Sequence, residues 1–122
     1  LNSVLNSEAS KLINQDSQNK NNDAFGQNQF VCSAALVAKS VVRYNPRGLP
    51  IIEFEIEHKS EQLEASATRV VVCAIKAIAM GVVCEQVQQV ELGEFRVWSG
   101  FLAQRSVKSN SLRFHVSSLS NI

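Results

Sequence analysis

Ile52-Glu53-Phe54-Glu55-Ile56-Glu57 alternates without a break between apolar side chains and carboxylates. A period of two is the pleat of a β-strand, sending Ile52, Phe54 and Ile56 to one face and the three glutamates to the other. A strand with one dry and one wet face belongs to an antiparallel sheet. Upstream, Asn45-Pro46-Arg47-Gly48 sets Pro at the second and Gly at the fourth position of a type I turn. The β-type run from Phe30 to Val42 is therefore a first strand that turns into the alternating second. Downstream, Lys59 to Thr68 is polar and reads as a loop. Arg69 to Ile75 is β-branched and reads as a third strand.

From Ala77 to Val90 the period changes. Ala79, Val83, Val87 and Val90 recur at helical spacing, with Glu85, Gln86, Gln88 and Gln89 between them. A short helix is expected, weakened at Gly81 by about 1 kcal/mol relative to Ala and ended at Leu92-Gly93. Phe95 to Gln104 is the fourth strand, with Gly100 marking a bulge or bend. Arg105 to Asn110 is a polar turn, and Leu112 to Leu119 is the fifth strand. A sheet this small removes its edges by closing. Five strands with a helical link between the third and fourth is the pattern of an all-β, five-stranded OB-fold barrel. An SH3-like barrel is the competing architecture.

The chain has 122 residues, enough for one domain. Residues 1–29 hold fifteen Asn, Gln or Ser. Such a stretch buries too little surface to offset its ordering entropy. It reads as a flexible extension in which Val4, Leu5, Leu12 and Ile13 allow a short helical patch. Residues 30–122 are then the folded domain. The only methionine is Met80, so the chain reads as a processed product, a fragment, or a product begun at a non-standard codon.

The formal net charge of +1 argues against a strongly basic duplex-DNA clamp. The longest apolar run, Val70 to Cys84, is interrupted by Lys76 and falls short of the roughly 18 residues that a bilayer helix needs. The N-terminal stretch lacks a basic start followed by an apolar block and so does not read as a signal peptide. Cys32, Cys73 and Cys84 are an odd set without a CxxC, which argues for a reducing cytoplasm and against a zinc ribbon.

No catalytic, cofactor or metal constellation stands out. His58 and His115 lack metal-ligand spacing and read as surface or hydrogen-bonded residues. Glu53, Glu55 and Glu57 read as a solvated or partner-contacting face. Cys73 and Cys84 sit among apolar residues, where a thiol stays protonated.

The cations are more informative. Lys39, Arg43 and Arg47 cluster without an acid around the first turn. Arg96, Arg105, Lys108 and Arg113 stand against Glu94 alone around the last. In an OB-fold these two loops flank one groove. A single strand needs cations along its phosphates and aromatics beneath its bases. The candidate contacts are Arg43, Tyr44, Arg47, Arg69, Trp98, Arg105, Lys108 and Arg113. Alternation places Trp98 with Arg96, away from the core, and base stacking, a dimer contact and core burial all stay open for it.

Pro46-Arg47-Gly48-Leu49-Pro50, followed by Phe54 and Ile56-Glu57-His58-Lys59-Ser60, resembles the primosomal replication protein N family. Val97-x-x-Gly100-Phe101-Leu102-Ala103 resembles that family's fourth strand, and Arg105 to Arg113 its basic loop. The likeness covers about residues 28–122. It implies a non-enzymatic OB-fold homodimer that binds single-stranded DNA and assembles with a replication-restart helicase and other primosome proteins in a bacterial cytoplasm, without a membrane or cofactor. The basic loop carries over onto Arg105, Lys108 and Arg113, and Arg69 falls where the family often has a cation. Some members stack bases on aromatics where this chain has Ala67 and Val72. The alternative is an adaptor that docks replication partners with little DNA affinity. The first strand's edge and the helix-side apolar surface both remain open as dimer interfaces.

Overall fold

The computed structural model describes residues 26–122. Strands β1 (Phe30–Lys39), β2 (Arg43–Tyr44), β3 (Pro50–Glu64) and β4 (Ala67–Met80) are followed by helix α1 (Val82–Gln89) and strands β5 (Phe95–Gln104) and β6 (Leu112–Ser120). The sheet order is β1-β5-β6-β4-β3-β2, and β1 also pairs with β3, which closes the barrel. Closure depends on a division of labour along β1. Phe30 to Ala35 pair with β5, Ala35 to Lys39 pair with β3, and the register shifts between Leu36 and Ala38. The parallel contact Ala77↔Phe114 and Ile78↔His115 joins β4 to β6. This is the expected five-stranded OB-fold barrel with one short helix, and β2 is a two-residue spur on it. The extension expected over residues 1–29, with its helical patch, lies outside the described residues except for Gly26 to Gln29.

The alternating stretch behaves as its period demands: Ile52, Phe54 and Ile56 are buried. They meet Leu36, Ala77, Ala79, Trp98, Phe114 and Val116 inside the barrel, with Cys84 and Val87 of α1 in the same core. The Asn45 turn also forms. Gly48 N donates to Asn45 O at 2.8 Å, and the Asn45 side-chain oxygen accepts from Arg47 N and Leu49 N at 2.9 Å each.

Three expectations are corrected. Lys59 to Thr68 is no loop: β3 runs to Glu64, β4 starts at Ala67, and Ala65-Ser66 is the whole turn. Both turn residues have positive φ, 53° and 66°, the primed hairpin geometry that matches strand twist. The helix starts at Val82, because Ala77, Ile78 and Ala79 are held in β4 by Phe54, Glu53 and Ile52 on one side and by β6 on the other. Tertiary pairing overrides the helical spacing there. Gly81 (φ 73°) is the junction before α1 and no part of its interior.

The third correction is Trp98. It pairs with Cys32 of β1, is fully buried, and donates from Nε1 to Ala34 O at 3.0 Å. Its ring centroid is 5.3 Å from that of Phe54. The barrel interior takes the largest side chain of the strand, so the alternation of β5 runs opposite to the expected sense and exposes Phe95 and Phe101. The irregularity expected at Gly100 lies opposite it. Ser99 pairs with Ser118 but Gly100 with Val116, leaving Ser117 as the extra residue of a bulge in β6.

Candidate nucleic-acid interface

The two basic loops converge. A shallow groove of about 240 Å³ is lined by Ser40 after β1, Glu53 and Glu55 of β3, Lys76 of β4, and Arg105 and Arg113 at the β5–β6 connection. Glu53 is its hub. Its carboxylate accepts from Arg43 at 2.9 Å and lies 3.8 Å from an Arg113 guanidinium nitrogen. The Arg43 hydrogen bond, with Arg113 and Arg105 nearby, holds the Glu53 carboxyl below the usual carboxylate range. Three arginines from separate segments are thus oriented around one acid. Glu53 stays part of a solvated face, at 42% side-chain exposure, and is also the acid on which these arginines meet.

The remaining candidates fall into distinct settings. Tyr44 is 70% exposed, and Arg47 is exposed in the turn that follows it. Lys108 is exposed in the β5–β6 loop. Arg113 is mostly covered, and its Nε has no hydrogen-bond partner among the described residues. Arg69 stands apart on the β3–β4 ribbon, paired with Glu64 at 2.8 Å. Trp98 leaves the set, since a ring with no exposed surface cannot receive a base. Lys39 lines the groove, but its charge is already engaged. Its ammonium donates to the Gln88 and Val90 carbonyl oxygens at 3.0 and 2.6 Å, satisfying the C-terminal end of α1.

Two features escape the sequence reading. Lys76, the one charge in the apolar run, faces the groove, and its isolation there was the available signal. The second is an aromatic pair on the outer surface: Phe101 and His115 stack with centroids 4.9 Å apart and planes 8° apart. Correct alternation along β5 would have found it. Burial, with Arg113 adding, holds His115 below the ordinary histidine pKa. His58 is hydrogen-bonded, as expected. Nδ1 lies 2.7 Å from Ser33 O, and since a carbonyl only accepts, Nδ1 carries the proton there.

Among the described residues no group of three His, Cys, Asp or Glu is placed to hold a metal. All three cysteines are free. Burial pushes the thiols of Cys32 and Cys84 up, whereas Cys73 is exposed, against expectation, because its part of β4 lies beyond the barrel wall. No helix among the described residues is long and apolar enough to cross a membrane. What the site assembles is anion chemistry: planar guanidinium donors that suit phosphate oxygens.

Residues 28–118 match a family model described as another single-strand binding protein family. The replication restart protein PriB of Nitrosomonas europaea is 32% identical over 93 residues, covering 76% of this chain and 86% of the relative. PriB of Neisseria meningitidis serogroup B is 35% identical over 85 residues, covering 69% and 84%. A solved structure of PriB from Ralstonia solanacearum superposes with a TM-score of 0.72 at 29% identity, over 80% of this chain and all of that one. In sequence and in fold, the chain belongs to the PriB family of single-strand binding proteins.

Proposed function

We propose that this protein is a non-enzymatic accessory factor of replication restart that binds single-stranded DNA in a bacterial cytoplasm. The observation that carries this reading is the convergence of Arg43, Arg105 and Arg113, from both loops, on Glu53 in the groove wall. Arg47 and Lys108 extend the cationic surface, and Tyr44 is the exposed ring beside it. Phosphates dock on the arginines, and bases stack where rings are exposed. Arg69 is an outlying contact, weakened by Glu64. The protein acts as a homodimer, for which the outer face of β1 and β5 offers exposed Val31 and Phe95. It assembles with the restart helicase and later primosome proteins.

Fluorescence anisotropy with a labelled oligo-dT of about 30 nucleotides tests the reading. Each phosphate contact contributes about 0.7 to the slope of log K against log salt for a single strand. The double variant Arg105→Ala/Lys108→Ala is expected to reduce that slope by about 1.4. An unchanged slope removes those residues from the interface. No binding at tens of micromolar protein in low salt favours the adaptor reading, which the acidic residues of β3 support.

A further inference from the structure

The Phe101–His115 stack adjoins the arginine groove. Arg113 and His115 alternate with buried Phe114 on β6, so both face outward. They are two residues apart, about 7 Å along the strand. Across the sheet, Ile78 pairs with His115, so the row through His115 lies beside the row that carries Lys76 and Arg113. The ring pair also walls a hollow of about 270 Å³, completed by Ile78, Met80, Val83 and Ser117. Phe101 remains 43% exposed although its ring is stacked. An aromatic wall, an apolar floor and one hydroxyl, opening next to fixed guanidinium groups, form a slot suited to a flat heterocycle attached to a phosphate.

We propose that this hollow receives a base of the bound single strand, with the Phe101–His115 pair as its stacking platform and Arg113 positioned for a phosphate of the same stretch. The proposal rests on the reading of the groove as a single-strand track and extends that track across β4 and β6 onto β5. It supplies the aromatic surface that buried Trp98 does not. Phe101 is locked in orientation by His115, so little rotamer freedom is lost when a base stacks.

Two variants test it. Phe101→Leu keeps apolar volume but removes the flat ring. It is expected to weaken oligo-dT binding by about fivefold to a hundredfold, the range for one lost base–aromatic stack. Its salt slope should stay unchanged, because no phosphate contact is lost. Phe101→Trp should restore affinity and, with Trp98 sealed in the core, place a second indole whose emission oligo-dT quenches. Native-like thermal melts of both variants establish that the fold is intact. Unaltered affinity in Phe101→Leu, or no quenching in Phe101→Trp, overturns the platform while leaving the arginine groove standing. A fall in sedimenting mass of Phe101→Leu without DNA would assign the ring to a contact between copies and overturn the proposal equally. Absence of oligo-dT binding by the unmutated protein would remove the groove reading itself, and the platform with it.

Discussion

At Gly100 the backbone of β6 comes so close that a Cβ would overlap the His115 carbonyl oxygen and press on the Val116 Cα. Neither is the end of a flexible side chain, so the strands themselves would have to separate. Gly100→Ala is expected to destabilise the protein by about 3 kcal/mol, the upper end for overpacking, read as a lower denaturant midpoint. An unchanged midpoint would mean that the bulge at Ser117 can slide. Gly100 was legible as an irregular point in its strand, since a glycine inside a strand signals close approach. Which strand carries the extra residue was not legible, because that depends on a partner some sixteen positions away. Trp98 failed for a different reason. Both alternating sets of β5 contain large apolar side chains, so period two fixes which residues share a face without saying which face is inside.

Elements were recovered best where one face is dry. The glutamate–apolar alternation of β3 was readable because burial writes a period into the sequence, whereas β5 was readable in its extent and not in its facing. The outer half of the β3–β4 ribbon was not. Every residue from Glu61 to Val70 is exposed, so neither face is selected for apolar side chains and the strand resembles a polar loop. The ribbon's turn is also disguised. Ala65 and Ser66 occupy positive φ in place of the Asn-Gly expected for such a hairpin. L-residues there carry a cost of roughly 1–2 kcal/mol each. Ala65→Asn with Ser66→Gly should therefore stabilise the ribbon by about 1 kcal/mol. Because the ribbon can open without the barrel, the readout is slower hydrogen exchange of amides between Glu61 and Val70. Equal exchange rates would mean that the native turn carries no strain.

Over the described residues, Arg43 and Arg113 come together at Glu53, while Arg69 and Arg96 pair with acids elsewhere. The approach of the two loops followed from their positions once the fold was inferred. The role of Glu53 as their common anchor did not follow, since it requires knowing that β6 and β2 approach the same point of β3. The anchoring gives the protein a definite acid response. His115 and Glu53 both titrate below their ordinary values in the fold. The unfolded chain therefore takes up protons that the folded chain resists, and stability falls as pH falls. His115 acts first, below about pH 6.5, and Glu53 follows below about pH 4.5. Denaturant midpoints should decline from pH 7 to pH 5, and His115→Gln should flatten that part of the profile. A decline of equal steepness in the variant would assign it to another group.

The double pairing of β1 also sets the order of events in folding. Its inner half, Ala35 to Lys39, can join β3 early, because Lys39 and Phe54 are only 15 positions apart. Its outer half waits for β5, whose partners lie 60 positions away at Ala35↔Phe95 and 70 at Phe30↔Gly100. Until that strand arrives, the hydrophobic lining of an open sheet faces water. The rate of barrel closure is then governed by a long search through chain conformations, on a timescale of about milliseconds to seconds, and the nascent protein must be protected from association with its neighbours for that interval.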